Sequence, residues 1–143
     1  MTLQSFDALP EEALKEILAL TEAKRRLDLQ DEAQNKFMPF THHVYENFIE
    51  GRHHRVIAEK LEAVARGELK RLIINMPPRH SKSEFASYLM PAWFLGRNPK
   101  LKIIQATHNT ELAVRFGRKV RDLIDDPAYR EIFPDTSLKE DNK

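Results

Sequence analysis

Cysteine is absent from the 143 residues, which excludes disulfides, thiolate metal centres and a cysteine nucleophile. No stretch approaches the ~20 consecutive apolar residues that a membrane-spanning helix needs. The first twelve residues, Met1 to Glu12, are acidic and lack the basic-then-apolar layout of an export signal. An excess of charge of one sign is missing as well: 23 Lys and Arg face 22 Asp and Glu, for a formal net charge of +1. That balance excludes a dedicated polycationic arm while permitting a local basic groove. With 41% hydrophobic and 31% charged residues, the chain is too apolar for disorder and too charged for a membrane protein. The expectation is a soluble intracellular protein, either one domain or part of a larger one.

Residues from about 8 to 69 read as helices only. Pro10, Glu11 and Glu12 suit a first helical turn, and Leu14, Ile17 and Leu18 follow on one side. Thr41 is placed to cap a second helix, with Phe40 and Tyr45 as its hydrophobic staple. A third helix starts near His53, aligns Ile57, Leu61, Val64 and Ala65, and stops at Gly67. The texture then changes. Leu72-Ile73-Ile74 is a short apolar run that suits a strand buried on both faces, ended by Pro77-Pro78. Lys82 to Leu89 reads as a helix that can extend past Pro91 to Gly96. Leu101 to Ala106 reads as a second strand, and Asn109 caps a last long helix carrying Leu112, Phe116, Val120, Leu123 and Ile124. The spacing predicts a βαβ crossover and hence the start of a parallel sheet in an α/β protein. The expected organisation is a helical segment over 1–69 followed by the first part of an α/β core over 70–143.

The segment from Leu72 to Glu84 carries the chemistry. A phosphate-binding loop needs a preceding strand, converging main-chain N–H groups, a lysine for the β- and γ-phosphates, and a Ser or Thr for Mg2+. Lys82-Ser83 stands at the loop-to-helix junction where the Walker pattern places that pair. Two glycines of the general pattern are replaced, by Met76 and by Ser81 directly before the lysine. A residue with a Cβ before the lysine costs about 1 kcal/mol or more if the backbone there is left-handed, which predicts weakened nucleotide affinity.

Pro77-Pro78-Arg79-His80-Ser81-Lys82-Ser83 resembles the ATP-binding loop of tailed-phage terminase large subunits, a subgroup of which carries glycine where Ser81 stands. The likeness extends to His53-His54 and Gly67 to Leu72 upstream. Downstream it takes in Pro91-Ala92-Trp93, Leu95-Gly96-Arg97, Ala106-Thr107-His108-Asn109, Phe116-Gly117-Arg118 and Ile132-Phe133-Pro134. It covers roughly residues 37 to 135. The resemblance implies a RecA-like P-loop fold with an incomplete parallel sheet, binding ATP and Mg2+ through Pro78, Arg79, His80, Ser81, Lys82, Ser83 and Glu84. In it Lys82 and Arg79 would act on the phosphates and Ser83 would ligate Mg2+. The implied setting is the bacterial host cytoplasm, without a membrane. The implied role is an ATP-driven motor that moves viral DNA into the procapsid with double-stranded DNA, a portal protein and a small terminase subunit as partners. The family's acidic ATPase motif and its nuclease region would lie beyond residue 143. The alternatives are a catalytically silent prophage remnant acting as a binding or assembly module, and an unrelated P-loop phosphotransferase.

Other residues have plainer readings. Asp125-Asp126 superficially resembles an acidic ATPase motif, but Leu123-Ile124 continues a helical arc, so a helix C-terminus is expected. The pairs His42-His43 and His53-His54 lack the carboxylate pattern of a metal site, and His54 is a candidate for shaping a base pocket. Arg115, Arg118, Lys119 and Arg121 alternate with Glu111, Asp122 and Asp125, which favours a salt-bridged solvent face over a nucleic-acid stripe.

Overall fold

The computed structural model describes residues 10–139. Its elements in chain order are α1 (Glu11–Asn35), α2 (Phe37–Val44), α3 (Arg52–Ala65), α4 (Lys82–Glu84), a π-helical turn (Phe85–Leu89), α5 (Met90–Arg97), α6 (Thr110–Asp125) and α7 (Pro127–Ile132). Among the described residues there is no strand, and this overturns the α/β expectation. The two stretches read as strands, Leu72 to Ile74 and Leu101 to Ala106, lie outside any helix and pair with nothing: from 71 to 76, and from 102 to 107, no main-chain group enters a backbone hydrogen bond. A strand is a property of a pair, and the residues that favour an extended chain cannot supply its neighbour. Nor is the first run buried on both faces. Leu72, Ile74 and Met76 pack against the core, whereas Ile73 is 85% exposed.

The helical expectations fare better. α1 follows Pro10, α3 ends shortly before Gly67, whose φ is +76°, and the Asn109 side chain accepts from the Leu112 N–H at 2.8 Å to cap α6. Thr41 is a correction. It lies inside α2, fully buried, donating to the Phe37 carbonyl at 2.9 Å. The helix begins earlier because Pro39 falls in its first turn, where no N–H is required.

The break at Lys36 between α1 and α2 shows how distant residues complete a chain reversal. The Phe37 N–H, freed by the bend, donates to Glu62 Oε1 of α3 at 2.8 Å. The Ala33 carbonyl receives the Trp93 indole N–H of α5 at 2.9 Å. Both orphan groups of the helix ends are thus paired, as burial demands. Around this point Phe37, Phe40, Phe85, Trp93, Tyr129 and Ile132 form one fully buried core that joins residues on both sides of position 70. Tyr129 donates to the Ala92 carbonyl at 2.9 Å, and burial pushes its phenol pKa up. Gly96 lies so close to the Phe133 ring that an added Cβ would meet it at 2.5 Å.

The helix from Lys82 to Arg97 is continuous but widened at its second turn. Pro91 has no N–H for the Ser87 carbonyl four residues back. Gln105 Nε2, from the second extended segment, donates there at 3.3 Å.

Candidate functional site

The loop between Pro78 and Ser83 leaves the extended segment at one end and opens α4 at the other. Arg79 has φ +64° and Ser81 has φ +58°, and His80 lies between these two left-handed residues. Left-handed residues alternating with ordinary ones turn successive N–H groups toward one side, a main-chain concavity for anions. Pro78 and Arg79 form a turn, and from Ser81 to Glu84 no main-chain N–H enters a backbone hydrogen bond. The side chains of Arg79, Lys82 and Ser83 are exposed, and neither cation enters an ion pair among the described residues. Free donors and two uncommitted cations offer a surface for an anion, with the Ser83 hydroxyl beside them. The serine pays the left-handed strain that a glycine would avoid.

His80 turns inward. Its Nδ1 lies 2.9 Å from the Pro78 carbonyl, and its ring centroid is 5.7 Å from that of His53 on α3. His54, beside it, is buried and stacks on Phe85 at 5.1 Å. The Gly51 N–H donates to His54 Nδ1 at 2.8 Å, so the neutral ring carries its proton on Nε2, which is buried without a partner among the described residues. Burial, followed by the neighbouring His53, holds the His54 pKa below the usual histidine range, with Glu50 opposing. The unfolded chain therefore binds more protons than the folded one once pH falls through about 6.5, and stability falls with it. We expect the Tm to drop between pH 7.5 and 5.5, and His54→Phe to flatten that drop. An equally steep drop in the variant would assign the acid sensitivity elsewhere.

Glu84, named with the loop residues, also makes a contact outside the loop. Lys119 of α6 reaches both its oxygens, at 3.0 and 3.1 Å, tying the start of α4 to α6. Sequence spacing could not reveal this pair, because Lys119 sits among acids on its own helix while its partner is 35 positions away. Arg121 does take a neighbour, Asp122, at 2.9 Å. Asp126 caps α7 by accepting from the Ala128 N–H at 2.8 Å, and Asp125 pairs with Arg130; both aspartates serve a helix boundary. Among the described residues no group of three metal-ligating side chains converges: His42 faces Glu50 at 2.7 Å and His43 faces Glu131 at 3.1 Å. No helix of the described residues is long and apolar enough to cross a membrane. Comparison with protein-family models, with curated proteins and with solved structures finds no match for this chain.

Proposed function

We propose that Pro78 to Ser83 bind the triphosphate of Mg-ATP, and that the chain is the ATP-binding portion of a phage terminase large subunit. The observation that supports this reading is the alternation of left-handed backbone at Arg79 and Ser81 directly before Lys82-Ser83. Lys82 and Arg79 would offset phosphate charge, the loop N–H groups would orient the oxygens, and Ser83 would help hold the metal. Bound Mg2+ supplies charge neutralisation and a template for the phosphates. The partners on this reading are double-stranded viral DNA, a portal protein and a small terminase subunit, in the host cytoplasm.

A second reading, binding without turnover, is favoured by where the acids lie. Glu84 is held by Lys119, and Asp125 and Asp126 are engaged at the α6–α7 boundary, so none of these is free to activate water. Calorimetry with Mg-ATP together with phosphate release separates the two: heat of binding without release supports the silent module, release supports the motor portion, and neither overturns the site.

The strain at Ser81 gives a sharper expectation. Ser81→Gly removes a left-handed cost of about 1 kcal/mol, which lets the free loop hold its concave form more fully and tightens Mg-ATP binding about fivefold. Unchanged or weaker affinity in a calorimetric titration would show that the serine is accommodated without cost to binding.

A further inference from the structure

Three imidazoles meet where the loop rests on α3, and only one of them is arranged to gain a proton there. His53 and His54 lie ring against ring, 3.8 Å between centroids, and His80 of the loop stands 5.7 Å from His53. His54 Nδ1 already accepts from the Gly51 N–H at 2.8 Å, so charging this ring would set two donors face to face. The Nε2 atoms of both His53 and His54 are buried, out of an anion's reach. His80 is exposed and arranged the other way. A carbonyl oxygen only accepts, so the 2.9 Å contact with Pro78 fixes the neutral ring's proton on Nδ1 and leaves a lone pair on Nε2. A second proton adds a donor and a positive charge at Nε2 without disturbing that bond.

The uncommitted charges around His80 have one sign. Arg79 is its chain neighbour and Lys82 lies two residues on, and neither enters an ion pair among the described residues. The acids are committed: Glu84 to Lys119 at 3.0 Å, and Glu50, at the α3 end near His54, to His42 and Arg55. A triphosphate brings the negative charge that this corner lacks, and opposite charge favours the charged form of a titratable group. We propose that His80 takes up a proton when the loop binds a triphosphate, its Nε2–H becoming a further donor to a phosphate oxygen. This rests on the reading of Pro78 to Ser83 as a triphosphate site, and it makes affinity rise as pH falls through the histidine range. The buffer supplies the proton, the Nε2 lone pair receives it, and no covalent bond within the protein or the ligand breaks. The sign is opposite to that of stability: acid loosens the fold through His54 and tightens the loop's grip through His80.

The test is calorimetry of Mg-ATP binding to the whole chain, in two buffers of different ionisation enthalpy, which counts the protons taken up. The ligand's own titration is common to all variants, so the count is read as the difference from His80→Gln, whose amide takes no proton. We expect the wild type to take up about half a proton more than His80→Gln at pH 7 and almost none more at pH 8.5. That uptake tightens wild-type binding about threefold per unit of acidification relative to the variant. Inorganic tripolyphosphate with Mg2+, which has no base, should give the same difference. His53→Phe keeps a ring against His80 and should leave the uptake in place; circular dichroism checks that both variants stay folded. Equal counts for wild type and His80→Gln, or loss of the uptake in His53→Phe, would overturn the proposal and leave the triphosphate site standing. Absence of any Mg-ATP binding would overturn the site and this inference together.

Discussion

Lys82→Ala weakens Mg-ATP binding about a hundredfold, while the melting temperature stays where it was. The separation of the two effects follows from the geometry. Lys82 is exposed and has no ion-pair partner among the described residues, so its removal costs the fold nothing that can be counted in contacts. Toward a triphosphate it supplies charge-assisted hydrogen bonds, each worth about 1.5–3 kcal/mol, or roughly ten- to a hundredfold in affinity. Arg79→Ala acts in the same sense but more weakly, because its guanidinium stands at the far end of the loop while the main-chain donors remain. Because both side chains are exposed, the wild-type affinity falls as salt rises, and the Lys82→Ala affinity falls less steeply. Calorimetry at two ionic strengths measures both quantities. If Lys82→Ala binds Mg-ATP as the parent does, the loop is a polar turn and the nucleotide reading fails with it.

Much of this loop was legible in advance. Lys82-Ser83 announces a helix start after a basic turn, and the helix does begin there. The left-handed backbone at Ser81 is the feature that a glycine would have advertised, and the serine conceals it. The helices follow from local signals that survive in the structure: Pro10 before α1, Gly67 after α3, Asn109 before α6. What the residues could not reveal lies between distant positions. Leu72 to Ile74 and Leu101 to Ala106 do favour an extended chain, yet whether such a chain becomes a strand depends on a neighbour that β-branched side chains cannot specify. Glu84 looks like a loop residue until Lys119 is seen to hold it. Thr41 looks like a cap because the true partner of the α2 N-terminus, Glu62, lies on another helix. In each case short-range chemistry is readable and long-range pairing is not.

The same distinction sets the second large effect, at Trp93. This residue is fully buried, meets the Phe37 ring edge-on at 5.5 Å, and carries the Arg97 guanidinium over its face at 4.7 Å. Its indole N–H is also the donor that replaces the Phe37 N–H at the Ala33 carbonyl, because the bend at Lys36 has sent that N–H to Glu62. Trp93→Ala therefore removes a large apolar volume and orphans a buried carbonyl at once. Truncating a buried tryptophan costs about 3–5 kcal/mol, and an unsatisfied buried acceptor about 1–3 kcal/mol more, against a typical total near 5–15 kcal/mol. The loss is of the order of half a typical total, so the urea midpoint should fall steeply. Trp93→Phe separates the two contributions, since it keeps most of the ring packing and loses the hydrogen bond, and its cost should stay nearer 1–3 kcal/mol. Urea titration followed by circular dichroism is the suitable measurement, as Trp93 is the single tryptophan and its fluorescence disappears with it. If Trp93→Phe were as damaging as Trp93→Ala, the carbonyl at the α1 terminus would outweigh the core volume. If both were harmless, the joint between α1, α2 and α5 would not be what holds this core together.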